Sequence, residues 1–162
     1  MTSIDLKKLK NLCEIKQIKI SLAESCTGGL VSSSITSIAG SSNFFDSAII
    51  SYSNKAKIEL LGINKNLILK HGAVSKEVAL SMAKNLYRLT KSQICASITG
   101  IAGPGGGSKQ KPIGTVYFSI YKKFGNEIEM NNYKKCFNFK NRITIQKKSN
   151  EFLLKQLISV ID

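Results

Sequence analysis

Hydrophobic positions along this chain recur with two periods, and the switches between them divide it into alternating elements. Apolar residues at Ile4, Leu6, Leu9, Leu12 and Ile15 lie near helical spacing, with Asp5 close to the positive end of the macrodipole, so a helix is expected over 3–17. Ile18 to Ala23 is a short apolar run that predicts a strand. It breaks at Glu-Ser-Cys-Thr-Gly-Gly before a helical pattern resumes from about Gly29 to Ile38, with Gly40 as its stop. Phe44 to Tyr52 is β-prone, and NKAKIELLG predicts a short helix ended by Gly62, followed by a loop to His71 and Gly72. Ser75 is placed to cap the clearest helix, whose face is Val78, Met82, Leu86 and Leu89.

A further strand is expected at Ile94 to Ile98, then the long turn TGIAGPGGGSKQKP, then strands over Gly114 to Tyr121 and about Ile128 to Phe139 joined through Lys122 to Asn126. A last helix runs from about Thr144 to Val160. This alternation predicts an α/β fold: a three-layer α/β/α sandwich on a mixed, mainly parallel sheet, parallel early and antiparallel near the end. Both glycine-rich turns follow strands. In an open α/β sheet, loops at the carboxyl ends of strands meet at a crevice where helix amides bind anions.

Size and composition add limits. The 162 residues, 43% hydrophobic, suit a single domain spanning 1–162 with a core of its own. No apolar run reaches membrane-spanning length, and the lysine-bearing amino terminus lacks a signal-peptide core, so a cytoplasmic protein with no membrane partner is expected. Cys13, Cys26, Cys95 and Cys136 form no C-x-x-C pair and have only His71 as an imidazole partner, which argues against structural zinc and favours reduced thiols. The formal charge of +14 suits nucleic acid or a small phosphorylated ligand equally. The lysines are scattered among Asn and Ile, without an arginine cluster or aromatic platform, and no specific nucleic-acid partner is expected.

The stretch AESCTGGLVSSSI, Ala23 to Ile35, concentrates the candidate chemistry. Three explanations stand together: a cysteine site at Cys26, an anion-binding glycine turn, and a serine nucleophile at Ser25. Neither glycine loop fits the Walker or dinucleotide fingerprints. Gly28, Gly29, Gly103, Gly105, Gly106 and Gly107 suit tight turns, and at least one of the loops is also expected to line a ligand as an amide cradle for phosphate, with Lys109 or Lys111 either adding charge or simply solvated. A sole histidine in the separate HGAVS segment makes Cys-His or Ser-His-acid chemistry doubtful, whereas a lysine of lowered pKa also serves as a base. In YSNKAK, Lys55 and Lys57 point about 200° apart on a helix, so one pocket takes only one of them.

Taken together and in order, ESCTGG, YSNKAK, HGAVS, ITGIAGPGGG and KPIGTVYF resemble the CinA carboxy-terminal-domain family, whose enzymatic members are nicotinamide-nucleotide amidohydrolases. The similarity covers roughly residues 5–160. It implies a stand-alone bacterial version of a domain elsewhere fused behind a larger amino-terminal one, working without cofactor or metal, in the cytoplasm, as a homodimer or higher homo-oligomer. It implies catalytic roles for Ser25 as nucleophile, Lys57 as general base, Tyr52 as a supporting hydrogen-bonding group and Thr99 as a residue reaching the site from another loop. Substrate contacts are implied for Glu24, Cys26, Thr27, Gly28, Gly29, Gly103, Gly105, Gly106 and Arg142, with orientation of the turn or of a lysine as the other role open to Glu24.

The reaction implied is hydrolysis of the carboxamide of nicotinamide mononucleotide to nicotinic acid mononucleotide and ammonia, with amides at Cys26 or Thr27 receiving the oxyanion. One departure stands out. The family pattern resembles R-x-x-V-R near the carboxyl end, and this chain reads RITIQ, keeping Arg142 but placing Gln146 at the second arginine, with Lys147 adjacent and about 100° away. That departure motivates an alternative, a competence-associated or nucleotide-binding regulatory domain with weak or no amidohydrolase activity.

Overall fold

The computed structural model describes residues 3–139 and 141–162, without the side chains of Ser3 and Ile4. The expected helical position Ile4 therefore lies outside the described side chains. The elements are α1 (Ser3–Lys16), β1 (Ile20–Glu24), α2 (Leu30–Thr36), β2 (Phe45–Ile50), α3 (Asn54–Leu61), α4 (Lys65–His71), α5 (Lys76–Thr90), β3 (Ile94–Gly100), β4 (Thr115–Phe124), β5 (Glu127–Cys136) and α6 (Arg142–Ile161).

The five strands form one sheet in the order β2-β1-β3-β4-β5. β1 pairs parallel with both β2 and β3, while β3–β4 and β4–β5 are antiparallel. Parallel and antiparallel pairings are therefore equal in number, which corrects the expectation of a mainly parallel sheet. Two connections cause it: the glycine-rich segment between β3 and β4 returns the chain antiparallel to β3, and the tight turn at Gly125 and Asn126 returns β5 beside β4.

Strand alternation sorts the two faces. Ile20 and Leu22 of β1, Ile94, Ala96 and Ile98 of β3, and Val116, Phe118 and Ile120 of β4 pack with α1, α2 and α6. Ala23, Cys95 and Tyr121 turn to the other face, under Leu61, Ile68, Val78, Met82 and Leu86 of α3, α4 and α5. Helices thus cover both faces and make the three layers. Each helix buries only part of the apolar stripe its sequence suggests. Leu6, Leu9 and Cys13 of α1 are inside while Ile15 is 79% exposed, and Val78, Met82 and Leu86 of α5 are inside while Leu89 is 58% exposed.

Helix α4 replaces an expected loop. It is two turns long, capped by the Asn64 side chain accepting from the Asn66 amide at 2.8 Å and stopped at Gly72, and it buries Ile68 alone. A single buried position carries no readable period. Helix α6 begins two residues earlier than the pattern suggests, because the Asn141 carboxamide oxygen accepts from the amides of Ile143 and Thr144. That early start puts Arg142 in the first turn, on the same face as Gln146 one turn later.

Candidate functional site

Because β1 lies between β2 and β3, the segments leaving the carboxyl ends of these three parallel strands are neighbours. They surround a polar pocket of about 160 Å³ lined by Ser25, Cys26, Tyr52, Asn54, Lys57, Ala73, Val74, Thr99, Gly100, Ala102 and Arg142. Ser25 follows β1 directly and is held there by its amide donating to the Ile98 carbonyl at 3.1 Å, which extends the β1–β3 pairing by one residue.

Glu24 explains how the chain turns so sharply after Ser25. Continuing the Ile20–Leu22 face, its side chain is fully buried against the start of α2. There it accepts from the Thr27 hydroxyl at 2.7 Å, the amides of Gly29 at 3.0 Å, Val31 at 3.2 Å and Ser32 at 2.8 Å, and the Ser32 hydroxyl at 2.9 Å. A carboxylate at a helix amino terminus satisfies donors that the helix itself leaves open and complements its dipole. Gly29 stands at φ +99°, where a side chain would also meet Ile50.

These bonds give intramolecular partners to several groups for which substrate contacts were expected. The Glu24 carboxylate, the Thr27 hydroxyl and the Gly29 amide are engaged with one another, and the Gly28 amide donates to the Ser25 carbonyl at 3.1 Å. The main-chain amides of Cys26 and Thr27, in contrast, donate to no other residue among those described.

Lys57 comes from the first half of α3, whose start is capped by the Ser53 hydroxyl accepting from the Ala56 amide at 3.0 Å. Its side chain is 1% exposed. The ammonium donates to Ser25 Oγ at 2.8 Å and to the Ser51 carbonyl at 2.8 Å, with the Tyr52 carbonyl at 3.5 Å. Burial disfavours the charged form and lowers the Lys57 pKa from 10.5 to about 8, with Cys26 opposing slightly. Lys55 is turned to solvent beside Glu59, 3.8 Å away. Burial raises the Cys26 thiol to about 12, so its sulfur stays protonated and weakly nucleophilic at neutral pH. Its neighbour Ser25 is the hydroxyl in contact with an amine near neutrality.

The remaining walls come from the end of β3, the start of α6 and the loops beside them. Thr99, buried at the end of β3, donates its hydroxyl to the Ala73 carbonyl at 3.0 Å. Arg142 donates to the Gly103 carbonyl at 2.7 Å and to the hydroxyl of Tyr52, linking α6, the glycine loop and the segment after β2. Gly105 and Gly106 do not border this pocket; they line a separate, more open cleft of about 830 Å³ with Pro104, Lys109, Ile113 and Phe139. That cleft holds neither Ser25 nor Lys57.

Two residues take parts the sequence did not reveal. Lys111, considered as a charge for phosphate, donates to the His71 and Val74 carbonyls at 2.8 and 2.7 Å and so fixes the HGAVS loop against the site. Gln146 donates its carboxamide to the Cys26 carbonyl at 2.8 Å. Its i,i+4 relation to Arg142 was the available signal. Lys147 lines a different cleft between α1, α2 and α6. His71 closes α4 with Nδ1 3.6 Å from Glu77.

A family model described as the CinA C-terminal domain matches residues 4–161. The chain belongs to the CinA C-terminal-domain family. This CinA domain is 51% identical over 142 residues to a CinA-like protein of Prochlorococcus marinus, covering 87% of the chain and 32% of that protein. It is 46% identical over 143 residues to a CinA-like protein of Thermosipho melanesiensis, covering 86% and 35%. The chain thus spans about a third of the length of these curated relatives. Among solved structures, the competence/damage inducible protein CihA from Agrobacterium tumefaciens superposes with TM-score 0.88 at 33% identity, covering 98% of this chain and 96% of that one. A competence or damage-inducible protein from Enterobacter asburiae gives 0.90 at 26% identity, over 98% and 96%. No helix among the described residues is long and apolar enough to cross a membrane.

Proposed function

We propose that this CinA domain is a serine-lysine amidohydrolase acting on the carboxamide of nicotinamide mononucleotide. The observation that carries this reading is the buried 2.8 Å contact between Ser25 Oγ and a Lys57 amine whose pKa is lowered to about 8. Neutral Lys57 takes the serine proton as Oγ bonds to the carboxamide carbon. The carbonyl electrons move to oxygen, where the amides of Cys26 and Thr27, which donate to no other residue among those described, offer preorganised donors. Collapse returns the electron pair, breaks the carbon–nitrogen bond and expels ammonia with the proton carried by Lys57. Water then attacks the acyl-serine with Lys57 again as base, releasing the carboxylic acid and restoring Ser25.

A pocket of about 160 Å³ is smaller than the usual ligand cavity of roughly 300 Å³ or more. It suits the planar amide-bearing ring, leaving ribose and phosphate to extend past its rim, where Tyr52 and Arg142 stand. The strongly basic chain favours approach of a phosphorylated substrate.

The test is to incubate purified protein with nicotinamide mononucleotide and measure ammonia and nicotinic acid mononucleotide together. Equal release of both is expected, with near-complete loss in Ser25→Ala and Lys57→Ala and little change in Lys55→Ala. Saturable binding without product by folded protein rejects the enzyme and favours a regulatory nucleotide-binding domain. Homo-oligomeric assembly belongs to the same proposal. Light scattering over a range of concentrations tests it, and an active persistent monomer excludes it.

A further inference from the structure

Gln146 stands on α6, far from the nucleophile in sequence, yet its carboxamide reaches the residue that follows Ser25. Its nitrogen donates at 2.8 Å to the Cys26 carbonyl, an acceptor that receives no other hydrogen bond among the described residues. Cys26 is 5% exposed, lines the pocket, and carries one of the two main-chain amides that have no acceptor on another residue. Among the described residues, the turn is tied from its other side to Glu24, through Thr27 and Gly29. The Cys26–Thr27 peptide, whose Thr27 amide donates to no other residue among those described, is thus gripped at its carbonyl by a single group, supplied by a helix rooted in the core through Ile145, Leu153, Leu154 and Leu157.

We infer that Gln146 is a positioning residue for the oxyanion donor: by holding the Cys26 carbonyl it fixes the peptide plane that also carries the Thr27 amide, the donor offered to the charge developing on the substrate. This rests on the serine-hydrolase reading proposed above and specifies how its donor is kept in place. A hydrogen-bond donor aimed before reaction costs no reorganisation as charge develops, whereas a turn free to rotate must be ordered during the step. The consequence falls on kcat, since ground-state binding does not use the bond. Removing an oxyanion donor outright costs roughly 100- to 1,000-fold. Loosening it should cost less, on the order of 10- to 100-fold.

The experiment compares parent, Gln146→Leu and Gln146→Arg by nicotinamide mononucleotide turnover and by the rate at which a small fluorophosphonate labels Ser25, followed by mass spectrometry of the peptide. In labelling, Oγ bonds to phosphorus, fluoride leaves and the serine proton passes to Lys57, so the same donors are used without the natural substrate. Gln146→Leu should lose about 10- to 100-fold in kcat and in labelling rate with KM unchanged and native circular dichroism. Gln146→Arg, which keeps a donor, should return to within about threefold of the parent. A Gln146→Leu protein that labels at the parent rate, or one that changes KM alone, overturns the inference, as does an arginine variant as slow as the leucine one. If the parent is labelled at Ser25 yet releases no ammonia, the substrate assignment fails while the labelling comparison still decides the role of Gln146. If folded parent is not labelled at all, both fall together.

Discussion

Replacing Lys57 with methionine should stabilise the fold at neutral pH while removing turnover. The side chain is 1% exposed and its pKa is lowered from 10.5 to about 8 by burial. At pH 7 it is still largely protonated, so the folded protein keeps a charge away from water. At about 1.4 kcal/mol per pKa unit, that displacement amounts to roughly 3 kcal/mol of folding free energy. The sign follows from proton counting. Between pH 8 and pH 10.5 the unfolded chain holds the lysine proton and the folded one has released it, so stability rises with pH through this window. The penalty is complete below it and absent above it. Methionine also removes the donors to Ser25 Oγ and the Ser51 carbonyl, which offsets about 1 to 2 kcal/mol. The variant should therefore be more stable than the parent by about 1 to 2 kcal/mol at pH 7 and less stable by a similar amount near pH 10.5. Urea unfolding of both proteins at half-unit pH steps measures the gap, and titrations common to both cancel. A gap that stays constant from pH 7 to 10.5 would falsify the buried-amine argument, whatever its sign.

The same amine sets the rate profile: kcat/KM should climb as pH rises through about 8, where Lys57 becomes neutral, and a profile flat from pH 6.5 to 9 would remove Lys57 as the base. Glu24→Gln leaves at least one of the donors now aimed at the carboxylate facing an amide nitrogen, and should cost about 3 kcal/mol, or roughly 6 to 12 °C in Tm by calorimetry. An unchanged Tm would show that the turn does not depend on it. Gly114→Ala should yield no folded protein, because a Cβ there would sit 2.0 Å from the Phe137 carbonyl oxygen at φ +91°; soluble variant with parent-like circular dichroism contradicts this.

How much of this was legible beforehand differs from residue to residue. Helix α5 and strands β1 and β3 follow from local pattern: a capping serine with Val78, Met82 and Leu86 at helical spacing, and short apolar runs ended by polar turns. Lys55 and Lys57 could be separated by helical geometry alone, since two residues on a helix face opposite ways. Motif resemblance pointed to Ser25 and Lys57, but no local rule pairs residues 32 positions apart. Their contact requires the strand order β2-β1-β3, which sets the segment after β2 beside the turn after β1.

Glu24 shows the limit most clearly. Its place before the nucleophile left open a substrate contact or a part in orienting the turn or a lysine, and only strand alternation shows it on the buried side, where amides at the start of α2 donate to both of its oxygens. Gln146 and Lys111 show the same limit from a distance. Each is an ordinary polar residue in its own window and gains a role only because α6 and the glycine loop deliver it to a carbonyl that nothing nearby in sequence reaches. Periodicity, capping and turn chemistry act over a few residues and determined the elements. Which faces meet, which carbonyl a distant side chain reaches and which lysine loses its water depend on the packing of the whole sheet, and only the tertiary structure decided them.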